Sequence, residues 1–424
     1  MIKKFVNNSF VKSVSVLMTG TIFSQVVNYA FTPILSRIYT VEEMADLSLY
    51  LRITAFIIGV ATARYEMSLP LPKNDHHSFL LYRISIRIAS YVLIAAGIAG
   101  VIYTLSQPFQ WFNVWFLVLV LIGSIFVVMT NLGTNWSIRN NTFRLISKSR
   151  IINAASSNVF KLGFGLLKMG SFGLLLATVI GYFAASLGFI KEYLKNKTAY
   201  RHAYSKTKQR VLMLEYKQFP LVNLPHNMSD LGRDLLIASL VILYFDKEVF
   251  GLYSYSILIL NIPIALIGTA VSQVFYNKAS KMVDDTRGLY NLVKKTMISL
   301  LLLSIIPFTL LYLFAEDVFV LAFGEQWRMA GTYAAIMIPY NLFNFMVSPM
   351  ANLSLVLNRQ KELFISALTN SGGQILILLL LPLVIGSSLA NFTTTLYALT
   401  IFQSIMMIIN AFLYLHYSSL GKKK

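Results

Sequence analysis

Runs of apolar residues long enough to cross a bilayer recur from end to end of the chain. They lie at about residues 11–36, 44–70, 79–104, 111–136, 150–168, 171–194, 218–245, 250–276, 291–315, 329–356, 362–385 and 390–416. A spanning helix needs about 20 predominantly apolar residues, and inside hydrocarbon a helix satisfies its own backbone hydrogen-bonding groups. The pattern predicts an all-α polytopic membrane protein of about twelve transmembrane helices. The first run has no small-residue cleavage motif and is followed by further spans, so it reads as a retained helix rather than a signal peptide. Connections on one side are short (SQPFQ, KMGSF, FDKEV, GSSLAN and the longer AEDVFVLAFGEQW), which leaves no room there for a large external domain. The longest connection on the other side divides the spans six and six. The predicted organisation is an N-terminal six-helix bundle over 1–194, a basic linker over 195–217, and a C-terminal six-helix bundle with a basic tail over 218–424.

Composition agrees with this reading and fixes an orientation. The 424 residues are 56% hydrophobic and 12% charged, with mean hydropathy +0.65; a soluble chain carries about 25% charged residues. A net charge of +19 would suggest nucleic acid on a soluble protein, but here the charge is sorted by membrane side. One set of connections and span ends holds 28 of the 36 Lys and Arg, including Lys3, Lys4, Lys12, Arg201 and Lys422 to Lys424; the alternate set holds only Arg37, Lys168, Lys247 and Arg328. The basic side is cytoplasmic by the positive-inside rule, which puts both termini there. The absence of Cys excludes disulfides, thiol nucleophiles and thiolate metal sites, and the five His have no metal-ligand spacing. No P-loop, GxSxG, HExxH or strand-linked GxGxxG occurs. No cofactor, metal or nucleic-acid partner is expected.

An internal repeat supports the six-and-six division. Shifting the chain by 205 residues lays YTVEEMADLSLYLR (39–52) over YFDKEVFGLYSYSI (244–257), matching Glu43 to Glu248, Leu47 to Leu252 and Tyr50 to Tyr255. Six spans per repeat keep the two halves in one orientation. The same shift places Gln25, Asn28 and Tyr29 of the first span over Asp230, Arg233 and Asp234 of the seventh. Both helices are therefore expected to line one cavity between the halves.

Ionisable groups inside spans mark the candidate site, because a charge at the bilayer centre costs at least about 2.5–3.5 kcal/mol and normally faces a bundle interior or wet cavity. Asp230, Arg233 and Asp234 are spaced i, i+3, i+4 and share a helix face; the plainer alternative is an ion triad that only holds helices together. Arg52 lies about nine residues, roughly 14 Å, from the outer end of the second span. Arg64 and Glu66 fall nearer its inner end, with Glu66 about 40° from the face of Arg52 on a continuous helix. Lys161 continues a stripe through Asn153 and Ser157. Arg52, Arg64, Lys161 and Arg233 against Glu66, Asp230 and Asp234 make the set slightly basic, which suits an anionic solute and phosphate above all. Glu316, Asp317 and Glu325 read as a solvated turn. Pro33, Pro220, Pro225, Pro263, Pro307, Pro339, Pro349 and Pro382 fall within spans and favour kinks.

Three stretches then carry a resemblance: RYEMSLPLPKND (64–75), EVFGLYSYSILILNIPIALIGTAVSQVFYNKAS (248–280) and FGEQWRMAGTYAAIMIPYNLFNFMVSPMANLSLVLNRQ (323–360). In this order, on a twelve-span plan, they resemble the polysaccharide-biosynthesis flippases, including Wzx-type O-antigen and capsule repeat-unit flippases, of the multidrug/oligosaccharidyl-lipid/polysaccharide exporter superfamily. The resemblance implies two pseudo-symmetric six-helix bundles around a central cavity. It implies flipping of undecaprenyl-diphosphate-linked oligosaccharide repeat units from the cytoplasmic to the periplasmic leaflet of a bacterial inner membrane, by alternating access. The implied partners are that glycolipid, membrane lipid, and the polymerase and chain-length regulator of the same pathway.

On this reading Arg52, Arg64, Lys161 and Arg233 attract diphosphate or acidic sugars. Gln25, Asn28, Asn223 and Asn227 bind sugar hydroxyls, and Asp230, Asp234 and Glu66 serve charge pairing or coupling. Two departures stand out: Asp46 occupies the repeat position where the second half has Gly251, and the first-span carboxylate used by some drug-extruding relatives is replaced by neutral Gln25, Asn28 and Tyr29. The alternatives are a cation-coupled drug exporter of the same fold, which predicts an acidic cavity, and a membrane-embedded polysaccharide polymerase or glycosyltransferase, which predicts a substantial outer catalytic loop.

Overall fold

The computed structural model describes residues 9–200, 206–386 and 388–421, with side chains described from residue 16 onward except those of Lys206 and Leu389. Lys3, Lys4, Arg201 and Lys422 to Lys424 lie outside the described residues, as does the side chain of Lys12. The described elements are helical: α1 (Ser9–Ile38), α2 (Val41–Ala61), α3 (Asp75–Ser106), α4 (Trp111–Arg139), α5 (Phe143–Leu166), α6 (Gly170–Ala199), α7 (Lys206–Glu215), α8 (Leu224–Tyr244), α9 (Lys247–Leu260), α10 (Thr269–Ser280), α11 (Thr286–Phe323), α12 (Arg328–Val347), α13 (Leu353–Val356), α14 (Gln360–Ile385) and α15 (Leu389–Leu420).

Helix starts follow local capping chemistry. Thr40 accepts from the Glu43 backbone amide while Glu43 reaches back to the Thr40 amide at 2.8 Å, closing a capping box before α2. Asp246 caps α9 through the Val249 amide at 2.7 Å, so both repeats begin their second span on a side-chain cap. Tyr50 and Tyr255, paired by the repeat, are both buried.

Seven helices among the described residues are long and apolar enough to cross a membrane: α2, α3, α4, α6, α11, α14 and α15. The α9–α10 pair makes an eighth across a 40° bend, where Pro263 precedes a five-residue π-helical segment. The other four predicted spans are α1, α5, α8 and α12, with 30, 24, 21 and 20 residues. They are helical and long enough but fall outside that hydropathy criterion. Spanning helices too polar to face lipid all round must present a face to protein or water, and Lys161, Asp230, Arg233 and Asp234 sit on them.

Three predicted boundaries are corrected. The second span ends at Ala61 rather than 70; the tenth breaks after Val347 into a 3₁₀ turn at Ser348–Met350. The ninth runs on to Phe323, so Glu316 and Asp317 are helical rather than part of a solvated turn.

The chain divides into two compact units, Met1–Leu235 and Leu236–Lys424. In the first, α1 and α5 pack side by side and in parallel: Gly20 meets Ser147, Thr21 accepts from Arg150, Asn28 meets Asn158, and Tyr39 donates to the Lys161 carbonyl at 2.7 Å. A parallel pair separated by three helices is what four crossings require. A Cβ on Gly20 would overlap the Ser147 hydroxyl, so close approach explains the glycine. One end of the unit is closed by an aromatic cluster of Phe79, Tyr82, Trp136 and Tyr193, against which Leu212 of α7 packs. The 195–217 segment is thus a docked helix in its second part, not a plain solvated linker. In the second unit Tyr255 stacks on Trp327 with ring centres 3.9 Å apart, and Ser256 donates to the Ala330 carbonyl at 2.7 Å, tying α9 to α12.

Candidate substrate cavity

The turn after α2 builds the site. Ala63 (φ 49°) and Arg64 (φ 63°) are consecutive non-glycine residues in the left-handed region, a conformation costing roughly 1–2 kcal/mol per residue. Such strain persists where surroundings over-determine it, and here they do. Glu66, 6% exposed, accepts from the Thr62 hydroxyl and pairs with Arg64 at 3.5 Å. Ser68 donates to the Tyr65 carbonyl at 2.7 Å, and Ser78 to the Leu69 carbonyl at 2.6 Å. Tyr65 donates its phenol to the Met213 carbonyl of α7 at 3.0 Å; burial pushes that phenol up from its ordinary value, so it keeps its proton at neutral pH. Arg139 closes the following loop, donating to Asp75 (2.7 and 3.1 Å) and to the carbonyls of Leu69, Pro70 and Pro72. Arg64 and Glu66 are therefore turn residues, which removes the predicted helical relation between Glu66 and Arg52.

This turn aims Arg64 into a cavity of about 380 Å³ lined also by Leu51, Thr54, Gly59, Asn131, Tyr182 and Asn227. Asn227 of α8 donates its amide to the Gly59 carbonyl at 3.2 Å, which fixes α8 against α2 within the first unit. The Arg64 side chain is 26% exposed, with Nη1 3.5 Å from Glu66. A guanidinium at a polar opening is a ready donor for an oxyanion, since Arg presents a fork that matches phosphate oxygens. Asn131 and Tyr182 supply neutral groups of the kind that bind hydroxyls.

The remaining predicted residues are placed elsewhere. Arg52, Lys161 and Arg233 are half-buried on α2, α5 and α8 and do not line this cavity. Arg233 donates to Asp234 at 2.9 and 3.1 Å, and Asp230 lies 4.0 Å from His226. Asn28 accepts from Asn158 at 2.7 Å, a partner absent from the predicted set. Gln25 and Asn223 are half-buried on α1 and in the π-helical segment Phe219–Asn223. Ser157 of the predicted stripe packs against α6 at Gly181, whose Cβ would lie 2.7 Å from it. Asp46 is buried and accepts from Ser171 at the start of α6 at 2.6 Å, so this departure from the repeat is a helix-to-helix tie.

Comparison with known proteins places this architecture. The family described as "Polysaccharide biosynthesis protein" matches residues 59–332. The chain belongs to this family. Among solved structures, it is similar to the lipid II flippase MurJ in an inward closed conformation, with TM-score 0.72 and 15% identity over 96% of this chain and 88% of that one. It is similar to an inward-facing MATE multidrug-resistance transporter of the MOP superfamily, with TM-score 0.69 and 11% identity over 96% and 98% of the two chains. A MOP superfamily transporter from Pyrococcus furiosus gives TM-score 0.59 and 14% identity over 98% and 96%. At these identities the likeness shows the fold: this family member is a multi-pass helical membrane protein that shares the fold of these transporters. Compared with curated proteins by sequence, the chain has no match.

Proposed function

We propose that the protein flips undecaprenyl-diphosphate-linked oligosaccharide repeat units from the cytoplasmic to the outer leaflet of a bacterial inner membrane, for O-antigen or another surface polysaccharide. The observation that carries this reading is the Arg64 cavity: a strained, firmly braced turn holds a guanidinium at an opening lined also by amide, phenol and hydroxyl side chains. Its volume lies near the lower end of the roughly 300–1,000 Å³ typical of ligand sites, which suits a diphosphate and adjoining sugar rather than a whole repeat unit. Family membership supports a role in polysaccharide biosynthesis, and the MOP fold supports transport over sugar transfer. Arg64 binds the diphosphate; Asn131, Asn227 and Tyr182 bind the first sugar. Glu66 holds Arg64 in place between passages, and Arg52, Lys161 and Arg233, outside this cavity, add positive charge to the same unit.

Moving the head group while the polyprenyl chain stays in lipid requires alternating exposure of this site, with no continuous pore. A drug exporter for cations predicts an acidic lining, whereas the charged side chain lining this cavity is Arg64.

The test is a deletion strain of the source bacterium complemented with variants. Deletion should accumulate lipid-linked repeat units on the inner leaflet and abolish surface polymer. Arg64→Ala should fail to restore polymer at normal protein level, with Arg64→Lys partly active. Single repeat units still reaching the surface of the deletion strain would assign the protein to polymerisation instead.

A further inference from the structure

The second unit holds a cavity of about 660 Å³ that the proposed transport does not use, bounded by α11, α12 and α15. Helix α11 departs from helical geometry at Phe314 (φ −121°, ψ 19°), seven residues after Pro307. This break precedes Glu316 and Asp317, which line the cavity with Thr332 and Tyr397 at the end where α11 gives way to α12. From there to Ser404 and Ile405 the α15 wall runs about 12 Å, past Leu313, Ile336 and Ile401. The cavity is therefore amphipathic along its length.

The polar end carries excess negative charge. Arg328 is held by Glu325 through two hydrogen bonds at 2.7 and 3.1 Å and lies 3.9 Å from Glu316, which accepts from Thr332 at 2.8 Å. One cation thus serves two carboxylates, and Asp317 has no hydrogen-bond or salt-bridge partner among the described residues. Thr400, 4% exposed, also lines the cavity with its hydroxyl buried and without a partner. A buried hydroxyl left unpaired costs about 1–3 kcal/mol, which a bound polar group would remove.

We infer that this cavity seats one amine-headed bilayer phospholipid. Its ammonium donates to Asp317 and Glu316, its ester oxygens reach the Thr400 hydroxyl, and an acyl chain lies along Leu313, Ile336 and Ile401. The charge pattern selects the head group: three carboxylates around one arginine attract a primary ammonium and repel a net-anionic lipid. An ammonium with three N–H donors outranks a quaternary one, which has none.

Native mass spectrometry of the purified full chain, titrated with dioleoyl phosphatidylethanolamine, phosphatidylcholine or phosphatidylglycerol, tests this directly. The first should bind at least fivefold more tightly than phosphatidylglycerol, with phosphatidylcholine between them. Asp317→Asn should erase most of that preference, and Glu316→Gln/Asp317→Asn all of it, while phosphatidylglycerol binding stays level or rises. Asp317→Asn is the milder variant because Asp317 makes no hydrogen bond or salt bridge among the described residues, so it keeps the test informative if the double variant is unstable. Equal or tighter binding of phosphatidylglycerol by the wild type overturns the inference, as does an ethanolamine preference that survives both variants.

Discussion

The side-chain amide of Asn158 on α5 donates to the Oδ1 of Asn28 on α1 at 2.7 Å, joining the polar faces of two parallel helices. Sequence reasoning reserved Asn28 for sugar hydroxyls, and the pairing makes it a positioning residue first. Interhelical hydrogen bonds in membranes average about 0.6 kcal/mol and reach about 1.7. Asn28→Ala and Asn158→Ala should each lower stability by about 1 kcal/mol, and the double variant by less than their sum. A thermal-unfolding double-mutant cycle in detergent checks this; strict additivity would mean the two amides do not interact.

Arg139 organises the loop that braces Arg64. Its side chain is 9% exposed and contacts Asp75 and three carbonyls, and hydrogen bonds to a charged group are worth about 1.5–3 kcal/mol each. Arg139→Ala should destabilise the protein by about 2–4 kcal/mol and raise amide exchange over 65–75. Arg139→Lys should recover little, since lysine lacks the fork. Asp75→Asn should cost much less, because Asp75 is largely exposed. Hydrogen exchange read by mass spectrometry distinguishes these outcomes.

The turn around Arg64 was only partly legible in the sequence. Apolar character continues through residues 62–71, so periodicity alone extends the helix. The signal against it was Pro70 and Pro72, which push the residues before them out of helical geometry, although the left-handed pair at Ala63 and Arg64 needs tertiary bracing that no local pattern encodes. The helical spans were legible because long apolar runs recur along the chain, and Arg64 and Asn227, which line one cavity, were singled out because charges and amides are rare in spans. Asn131, Tyr182 and Asn158 were not, because single polar residues in apolar runs gain meaning only from the neighbours that packing brings.

Gly331 shows how closely α11 and α12 approach. A Cβ there would lie 2.7 Å from the Glu316 Cα and 2.8 Å from the Ala315 carbonyl oxygen, atoms of a backbone that cannot rotate away. Gly331→Ala should therefore destabilise the second unit by about 1–3 kcal/mol through overpacking. Gly372, whose Cβ meets nothing within 4 Å, should accept alanine without loss. Melting temperatures of the two variants, compared side by side, provide the check.

The Glu325–Arg328 contact makes a pH prediction. The hydrogen bond from Arg328 holds the Glu325 carboxyl below its ordinary value, so its contribution is present above the unfolded value, about 4.3, and is lost as pH falls through the lower folded value. The melting-temperature difference between wild type and Glu325→Gln should be small and constant from about pH 5 to 8 and vanish in stronger acid. A difference that grows on acidification would contradict this assignment.

The proposed function turns on Arg64 handling a diphosphate during passage across the bilayer. Its most direct test is reconstitution of the purified chain into liposomes carrying a fluorescent undecaprenyl-diphosphate oligosaccharide, with transbilayer movement read by dithionite quenching. The prediction is protein-dependent movement that falls at least tenfold in Arg64→Ala and is restored in part by Arg64→Lys. Movement equal to that of protein-free liposomes, or undiminished in a folded Arg64→Ala variant, would contradict it.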